Sequence, residues 1–259
     1  MITSSDNKRI KNVIALLEKS KARKEQDAFV IEGIKLFMEA PLEKISEVYI
    51  AESYSGPREK LDKLPVEVVK DEVFKKMTDT LTPQGVLCVV KKEHYDIKEL
   101  LNGKEENPIF LVLEKLQDPG NLGTIMRTAE GAGITGVIMS SDTVDIYNPK
   151  TVRSTMGSIF RVPFVYTDDL WNAIRELKAS GVTCYAAHLR GEKSCYAYDY
   201  KAPTAFFIGN EGNGLSDRIA DLADTYIRIP MEGKLESLNA GVSAAILMYE
   251  AKRQRETTD

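Results

Sequence analysis

Three short stretches in the C-terminal half concentrate the residues able to do chemistry. They are Gln117–Ala129 (QDPGNLGTIMRTA), Phe206–Leu215 (FFIGNEGNGL) and Ile229–Glu250 (IPMEGKLESLNAGVSAAILMYE). Each sets polar residues and glycines where an apolar run gives way to a helical pattern. In the first, Asp118-Pro119-Gly120 turns the chain, and Asn121 is expected to cap the helix that follows. Arg127 lies further along that helix. It is either an exposed surface charge or a cation beside a phosphate or a developing oxyanion. In the second, glycines around Asn210 and Glu211 let backbone N–H groups approach a ligand closely. Glu211 either contacts that ligand or caps the next helix. In the third, Pro230 and Gly233 shape a loop and Ser237 is expected as the N-cap of the last helix. Asn239 either orients a substrate or bonds its own backbone. Between these stretches, Asn148–Pro163 carries Arg153 and Arg161, as phosphate contacts or plain surface charges.

Much chemistry is disfavoured. His94 and His188 are the only imidazoles, and Cys88, Cys184 and Cys195 follow no metal-ligand spacing, so no metal site is expected. No GxxxxGK[ST] loop occurs. Gly131–Gly136 (GAGITG) fits GxGxxG but follows a helix and precedes a strand, the reverse of a dinucleotide fingerprint. It reads as a helix C-terminus and turn. What remains is a backbone-lined pocket with Arg, Glu, Ser and Asn. Such a site suits a cofactor and a polyanion held together, with the reactive group supplied by the cofactor.

The elements that must position these residues form an α/β pattern. Strands are expected at Phe29–Ile31, Val48–Ala51, Val66–Val69 and Gly85–Val90. Helices are expected over Ile10–Leu17, Ile34–Glu39, Pro57–Leu64 and Asp71–Met77. The charged stretch 96–107, with Asn102-Gly103 and Asn107-Pro108, reads as a linker between domains at 1–95 and 108–259. The second domain has strands at Phe110–Leu116, Gly136–Ser140, Pro163–Tyr166, Val182–Ala187, Thr204–Ile208 and Tyr226–Pro230. Helices at Asn121–Gly131, Asn148–Ile159, Leu170–Ser180 and Leu238–Arg253 alternate with them. This argues a parallel sheet covered on both faces.

The 259 residues are 43% hydrophobic, enough for two modest cores. No apolar run approaches the ~20 residues of a membrane span, and the start lacks a signal peptide's apolar region. Odd cysteine usage points to a reduced, cytoplasmic protein. The net charge is −4, yet seven basic residues face only Asp6 and Glu18 between Met1 and Lys24. That arm, with Lys8, Arg9 and Lys11, is either a solvated helix face or an electrostatic grip on nucleic acid.

In order and content, NLGTIMRTA, FFIGNEGNGL and IPMEGKLESLNAGVSAAILMYE resemble the three motifs of the SpoU (TrmH-like) RNA methyltransferases of the SPOUT superfamily, over about Pro108 to Lys252. The first ~95 residues resemble, through SSDNKRIKN, FVIEGIKL and PQGVLCVV, that family's L30e-like substrate-binding domain. The resemblance implies S-adenosylmethionine as methyl donor, a ribose 2′-hydroxyl in RNA as acceptor, a homodimer formed through the C-terminal domain, and a C-terminal trefoil knot. It implies cofactor contacts from Gly209, Asn210, Glu211, Ile229, Met231 and Leu238. It further implies a catalytic centre of Asn121, Arg127, Glu211, Ser237 and Asn239. RNA contacts are then expected from Lys8, Arg9, Lys11, Arg127, Arg153 and Arg161. Family analogy favours ribosomal RNA. Transfer RNA, a base as the methyl acceptor, and a non-catalytic RNA-binding protein on the same scaffold stay open.

Overall fold

The computed structural model describes residues 1–103, 105–235 and 237–256; the last residues of the expected second domain lie outside them. The chain forms two compact units. One comprises residues 1–93 with 145–160, the other 94–144 with 161–259.

Asn7 caps the first helix, its side chain accepting from Arg9 N–H at 2.8 Å. In chain order the first unit contains α1 (Lys8–Glu18), α2 (Ser20–Glu25), β1 (Ala28–Glu32), α3 (Ile34–Glu39), β2 (Ile45–Ala51), β3 (Val66–Val69), α4 (Asp71–Lys76) and β4 (Val86–Lys91). The sheet order is β1-β4-β2-β3, with β4 antiparallel to both neighbours and β2 parallel to β3. Ile10, Val13 and Leu16 recur at helical spacing and bury one face of α1 against Val30, Tyr49, Leu87 and Val89. The helix expected over Pro57–Leu64 is only a 3₁₀ turn at Leu61–Lys63. Pro57 and the preceding glycine favour a turn over helix propagation.

The second unit contributes α5 (Ile97–Leu101), β5 (Ile109–Leu113), α6 (Pro119–Ala132) and β6 (Gly136–Ser140). α7 (Pro149–Thr155) then belongs to the first unit. The second resumes with β7 (Phe164–Thr167), α8 (Leu170–Ala179), β8 (Thr183–Ala187), β9 (Lys193–Ser194), β10 (Thr204–Ile208), α9 (Asp217–Ala220), β11 (Thr225–Arg228) and α10 (Ala240–Glu256). The seven strands run β7-β6-β5-β10-β8-β11-β9 and every pairing is parallel. β5, β6 and β10 are buried at every residue, as a sheet covered on both faces requires. Leu170, Ala173, Ile174 and Leu177 of α8 pack on Phe110, Val112, Ile138 and Phe207. From β5 the chain lays β6 and β7 to one side, whereas β10, β8 and β11 lie on the other. The loops leaving β5 and β10 therefore bound the crevice where open parallel sheets bind ligands.

Three expectations need correction. The stretch 96–107 holds helix α5, with a capping box between Asp96 and Glu99, and Leu100 is buried in the second unit's core. Asp145–Phe160 leaves the C-terminal sequence block to join the first unit. There Tyr147 and Phe160 pack their rings on Phe29 at 4.7 and 6.3 Å. Arg23, only 3% exposed, donates to Asp145 at 2.8 and 3.0 Å and to the carbonyls of Leu16 and Leu17. One of the arm's basic residues is thus a buried tie instead of a surface charge. The helix expected over Asn148–Ile159 ends at Thr155, where Met156 (φ 54°) and Gly157 (φ 103°) turn left-handed.

Candidate active site

Glu211, on the loop leaving β10, reaches back to the loop leaving β5. Its Oε2 accepts the Gln117 N–H at 3.0 Å. Its Oε1 accepts the Asp118 N–H at 3.0 Å and Asn121 Nδ2 at 2.9 Å. Asn121 Oδ1 in turn accepts Asn239 Nδ2 at 2.8 Å, and Asn239 Oδ1 accepts the N–H groups of Gly241 and Val242 at 2.9 and 3.3 Å. One hydrogen-bonded relay therefore joins the three stretches. Two capping expectations change with it. Asp118, not Asn121, caps α6, its Oδ1 accepting Asn121 N–H at 2.9 Å. Asn239, not Ser237, caps α10. With their backbone duties assigned elsewhere, the Asn121 amide and the Ser237 hydroxyl are released from capping.

Asn239→Ala should cost about 1 kcal/mol of stability through the lost cap. Urea unfolding checks the value.

Burial alone would raise the Glu211 carboxyl, but hydrogen bonds from Asn121 and from the Gln117 and Asp118 amides outweigh it and hold the group below its ordinary 4.5. A depressed carboxyl stabilises the fold above its unfolded pKa, and that contribution is lost as pH falls through the folded pKa. Glu211→Gln should therefore unfold about 1 kcal/mol more easily near neutrality, an exposed site's screening keeping the figure small. The gap should close as urea titrations are taken below about pH 4. A gap that is constant with pH would mean the carboxylate charge does not hold the loops together.

The second loop is shaped by its own backbone. Asn210 and Gly214 exchange N–H···O bonds of 3.0 and 2.9 Å. Asn210 Oδ1 accepts from Gly212 and Asn213 N–H, and its Nδ2 donates to the Lys115 carbonyl at 2.8 Å. At Gly209 an added Cβ would fall inside contact distance of the Gly214 and Leu215 backbone. Beneath the loop, buried Glu114 accepts from Ser216 N–H and Oγ at 2.7 and 2.6 Å.

The segments leaving β8, β10 and β11, with the entry to α10, enclose a cleft of about 320 Å³. Gly209, Asn210, Glu211, Ile229, Met231, Ser237 and Leu238 all line it. So do residues the sequence reading did not select, notably Ile208, Ile227, His188 and Ser243. The signal for His188 was its place just beyond the carboxyl end of β8, where such sheets present ligand contacts. Arg127 stands on the exposed face of α6, outside both the cleft lining and the relay. Of the other expected RNA contacts, Arg9 pairs with Glu67, Lys11 with Asp6 at 2.8 Å, Arg153 with Asp79 at 2.7 Å and Arg161 with Glu130. Lys8 and Arg127 have no ion pair among the described residues. Lys8, Arg9, Lys11 and Arg153 lie in the first unit, Arg127 and Arg161 in the second.

A parallel sheet with a glycine-shaped cleft at the carboxyl ends of β8, β10 and β11, bordered by a clamp of asparagines and one carboxylate, defines a cofactor-binding α/β enzyme. Residues 108–249 match the SpoU rRNA Methylase family, and residues 7–88 match the MRM3-like substrate binding domain. The chain belongs to the SpoU rRNA methylase family. It is 32% identical to the 23S rRNA (guanosine(2553)-2′-O)-methyltransferase RlmP of Bacillus subtilis, over 96% of this chain and 97% of that protein. The AdoMet-bound rRNA methyltransferase of Sinorhizobium meliloti superposes with a TM-score of 0.86 at 33% identity, covering 97% of each chain. The SpoU methyltransferase AviRb of Streptomyces viridochromogenes, in complex with AdoMet, superposes with a TM-score of 0.88 at 26% identity, covering 98% of this chain and 100% of that one. Among the described residues no helix is long and apolar enough to cross a membrane.

Proposed function

We propose that this protein transfers a methyl group from S-adenosylmethionine to the ribose 2′-hydroxyl of a guanosine in large-subunit ribosomal RNA. The carrying observation is the end-to-end similarity to the guanosine 2′-O-methyltransferase RlmP, in a chain whose cleft is lined by all six expected cofactor residues. The cleft's content suits the cofactor. Ile208, Ile227, Ile229 and Leu238 offer an apolar bed, and the loop at Gly209–Gly214 offers backbone donors and acceptors. When bound, S-adenosylmethionine supplies an electrophilic methyl group on a sulfonium.

The protein's own residues then have separate tasks. The Glu211–Asn121–Asn239 relay holds the first loop against the second and fixes the orientation of the Asn121 amide. Asn121, Ser237 and Asn239 are positioned to orient the acceptor ribose. Arg127 serves as phosphate anchor and oxyanion stabiliser. A guanidinium is a poor base near neutrality, so the hydroxyl proton leaves late or through water.

The first unit is the RNA-gripping domain in this reading, with Lys8, Arg9, Lys11 and Arg153 as its contacts and Arg161 assisting from the second unit. Its match to a substrate binding domain supports that. The carboxylate partners of all but Lys8 must then be exchanged for phosphates on binding. A homodimer through the C-terminal domain is supported by α10, where Val242 is 46% and Tyr249 50% exposed, with Ala245 and Ile246 half-buried between them. A trefoil threading is supported by β10 lying between β5 and β8 while α10, after β11, returns against α6 and β10. Acting on ribosomal RNA and carrying three buried free cysteines fit a cytoplasmic location.

The test maps alkali-resistant linkages in ribosomal RNA from cells with and without the protein. Loss of one 2′-O-methylguanosine in the large-subunit RNA is expected. A methyl group lost from a base, or only from transfer RNA, would overturn the assignment.

A further inference from the structure

We propose that His188 contacts the cofactor as a neutral imidazole and that its protonation selectively expels the cationic methyl donor while sparing the uncharged-sulfur product. The inference rests on the S-adenosylmethionine reading above.

β8 ends at Ala187, and His188 N–H still donates to the Ile227 carbonyl of β11 at 3.0 Å. The chain then turns tightly. Arg190 N–H donates to His188 Nδ1 at 3.1 Å, and Gly191 N–H to the His188 carbonyl at 3.0 Å. Gly191 permits this, because a Cβ there would sit 2.6 Å from the Ile227 carbonyl carbon. The imidazole stacks on Tyr226, centroids 5.1 Å apart with planes 26° from parallel. The Arg190 guanidinium lies 5.0 Å from the centroid of the same Tyr226 ring. Arg190 is held in turn by Asp217 at 2.7 Å and Asp221 at 3.6 Å, and Tyr226 OH donates to Asp221. The ring is therefore fixed in plane and its Nδ1 is already an acceptor. The single proton of the neutral form sits on Nε2, which is left to donate to an acceptor on a ligand in the cleft that His188 lines.

A second proton would have to go on Nδ1, where it would face the Arg190 N–H and break that bond. The charges around the ring point the same way. Burial and Arg190 push His188 below its ordinary 6.5, with Asp217 and Asp221 opposing them. Tyr226 is uncharged, Arg228 of β11 also lines the cleft, and Glu211 lies on its second loop. Charging His188 would add a cation to a cleft that must accept a sulfonium. After methyl transfer that sulfur is a neutral thioether. The adenosine and carboxylate portions of donor and product are the same, and below about pH 7 the amino groups of both stay protonated, so ligand titrations cancel in a ratio of affinities.

The test is calorimetry of the full-length protein with S-adenosylmethionine and with S-adenosylhomocysteine between about pH 5 and pH 7. The ratio of donor Kd to product Kd should rise about tenfold as pH falls through the His188 titration, the size expected for two unit charges facing each other across a half-buried cleft. His188→Gln retains a donor but cannot titrate, and should bind both ligands at about pH 7 with a ratio that is flat with pH. With only two histidines in the chain, the His188 ring signal is assignable in NMR by its loss in that variant. Its pKa should fall further with donor bound than with product bound, by reciprocity. A flat ratio in the wild type, or a slope that survives in His188→Gln, overturns the proposal alone. Failure of either ligand to bind the wild type overturns the methyl-donor reading and this proposal with it.

Discussion

Gly209→Ala is expected to weaken S-adenosylmethionine binding at least about 100-fold while leaving the protein folded. The reason is spatial. A Cβ at position 209 would overlap the backbone carbon of Gly214 and nitrogen of Leu215, and backbone cannot swing aside as a side-chain tip can. Relief requires opening the Asn210–Gly214 bridge. That step releases Asn210 from Gly212, Asn213 and Lys115, and moves Glu211 from the Gln117 and Asp118 amides. Overpacking of this kind costs about 1–3 kcal/mol or more, and here the strain is centred on the loop that forms the cleft wall. Calorimetry reads the affinity and circular dichroism the fold. Binding within about threefold of wild type would show that the loop can relax without disturbing the cleft.

Arg127→Lys should lower turnover about 100-fold, the loss typical of one oxyanion-stabilising donor. A guanidinium presents a planar fork able to engage a phosphate and a developing alkoxide together, whereas an ammonium is a single point charge. The residue's position makes the experiment clean. Arg127 is exposed on α6 and has no ion pair among the described residues, so unfolding free energy should stay within about 0.5 kcal/mol. Single-turnover methylation and RNA binding are measured separately. Near-wild-type turnover with unchanged RNA affinity would exclude the role of the planar cation.

The parallel sheet was legible because the runs at Phe110, Gly136 and Thr204 are apolar throughout and end in turn residues. The three polar stretches were legible because each breaks such a run. Partnership between distant residues was not. Nothing local to Glu211 indicates that its carboxylate binds amides 94 and 93 residues earlier in the chain. Ser237 and Asn239 are both competent caps, and only the helix start at Ala240 decides between them. Asp145–Phe160 reads as continuous with its flanking sequence, yet aromatic packing on Phe29 carries it into the first unit. The charge of the basic arm was countable, but the pairing of Arg9 with Glu67 and of Arg23 with Asp145 depends on tertiary structure.

The relay from Glu211 through Asn121 to Asn239 bridges sequence separations of 90 and 118 residues. Closing loops of such length costs more conformational entropy than forming local contacts. Asn239 is held in place by the first turn of α10. A chain lacking that helix has nothing to hold the Asn239 amide and cannot complete the clamp. The clamp thus reports on tertiary completion: Asn121 is fixed only when α10 has docked against α6 and β10.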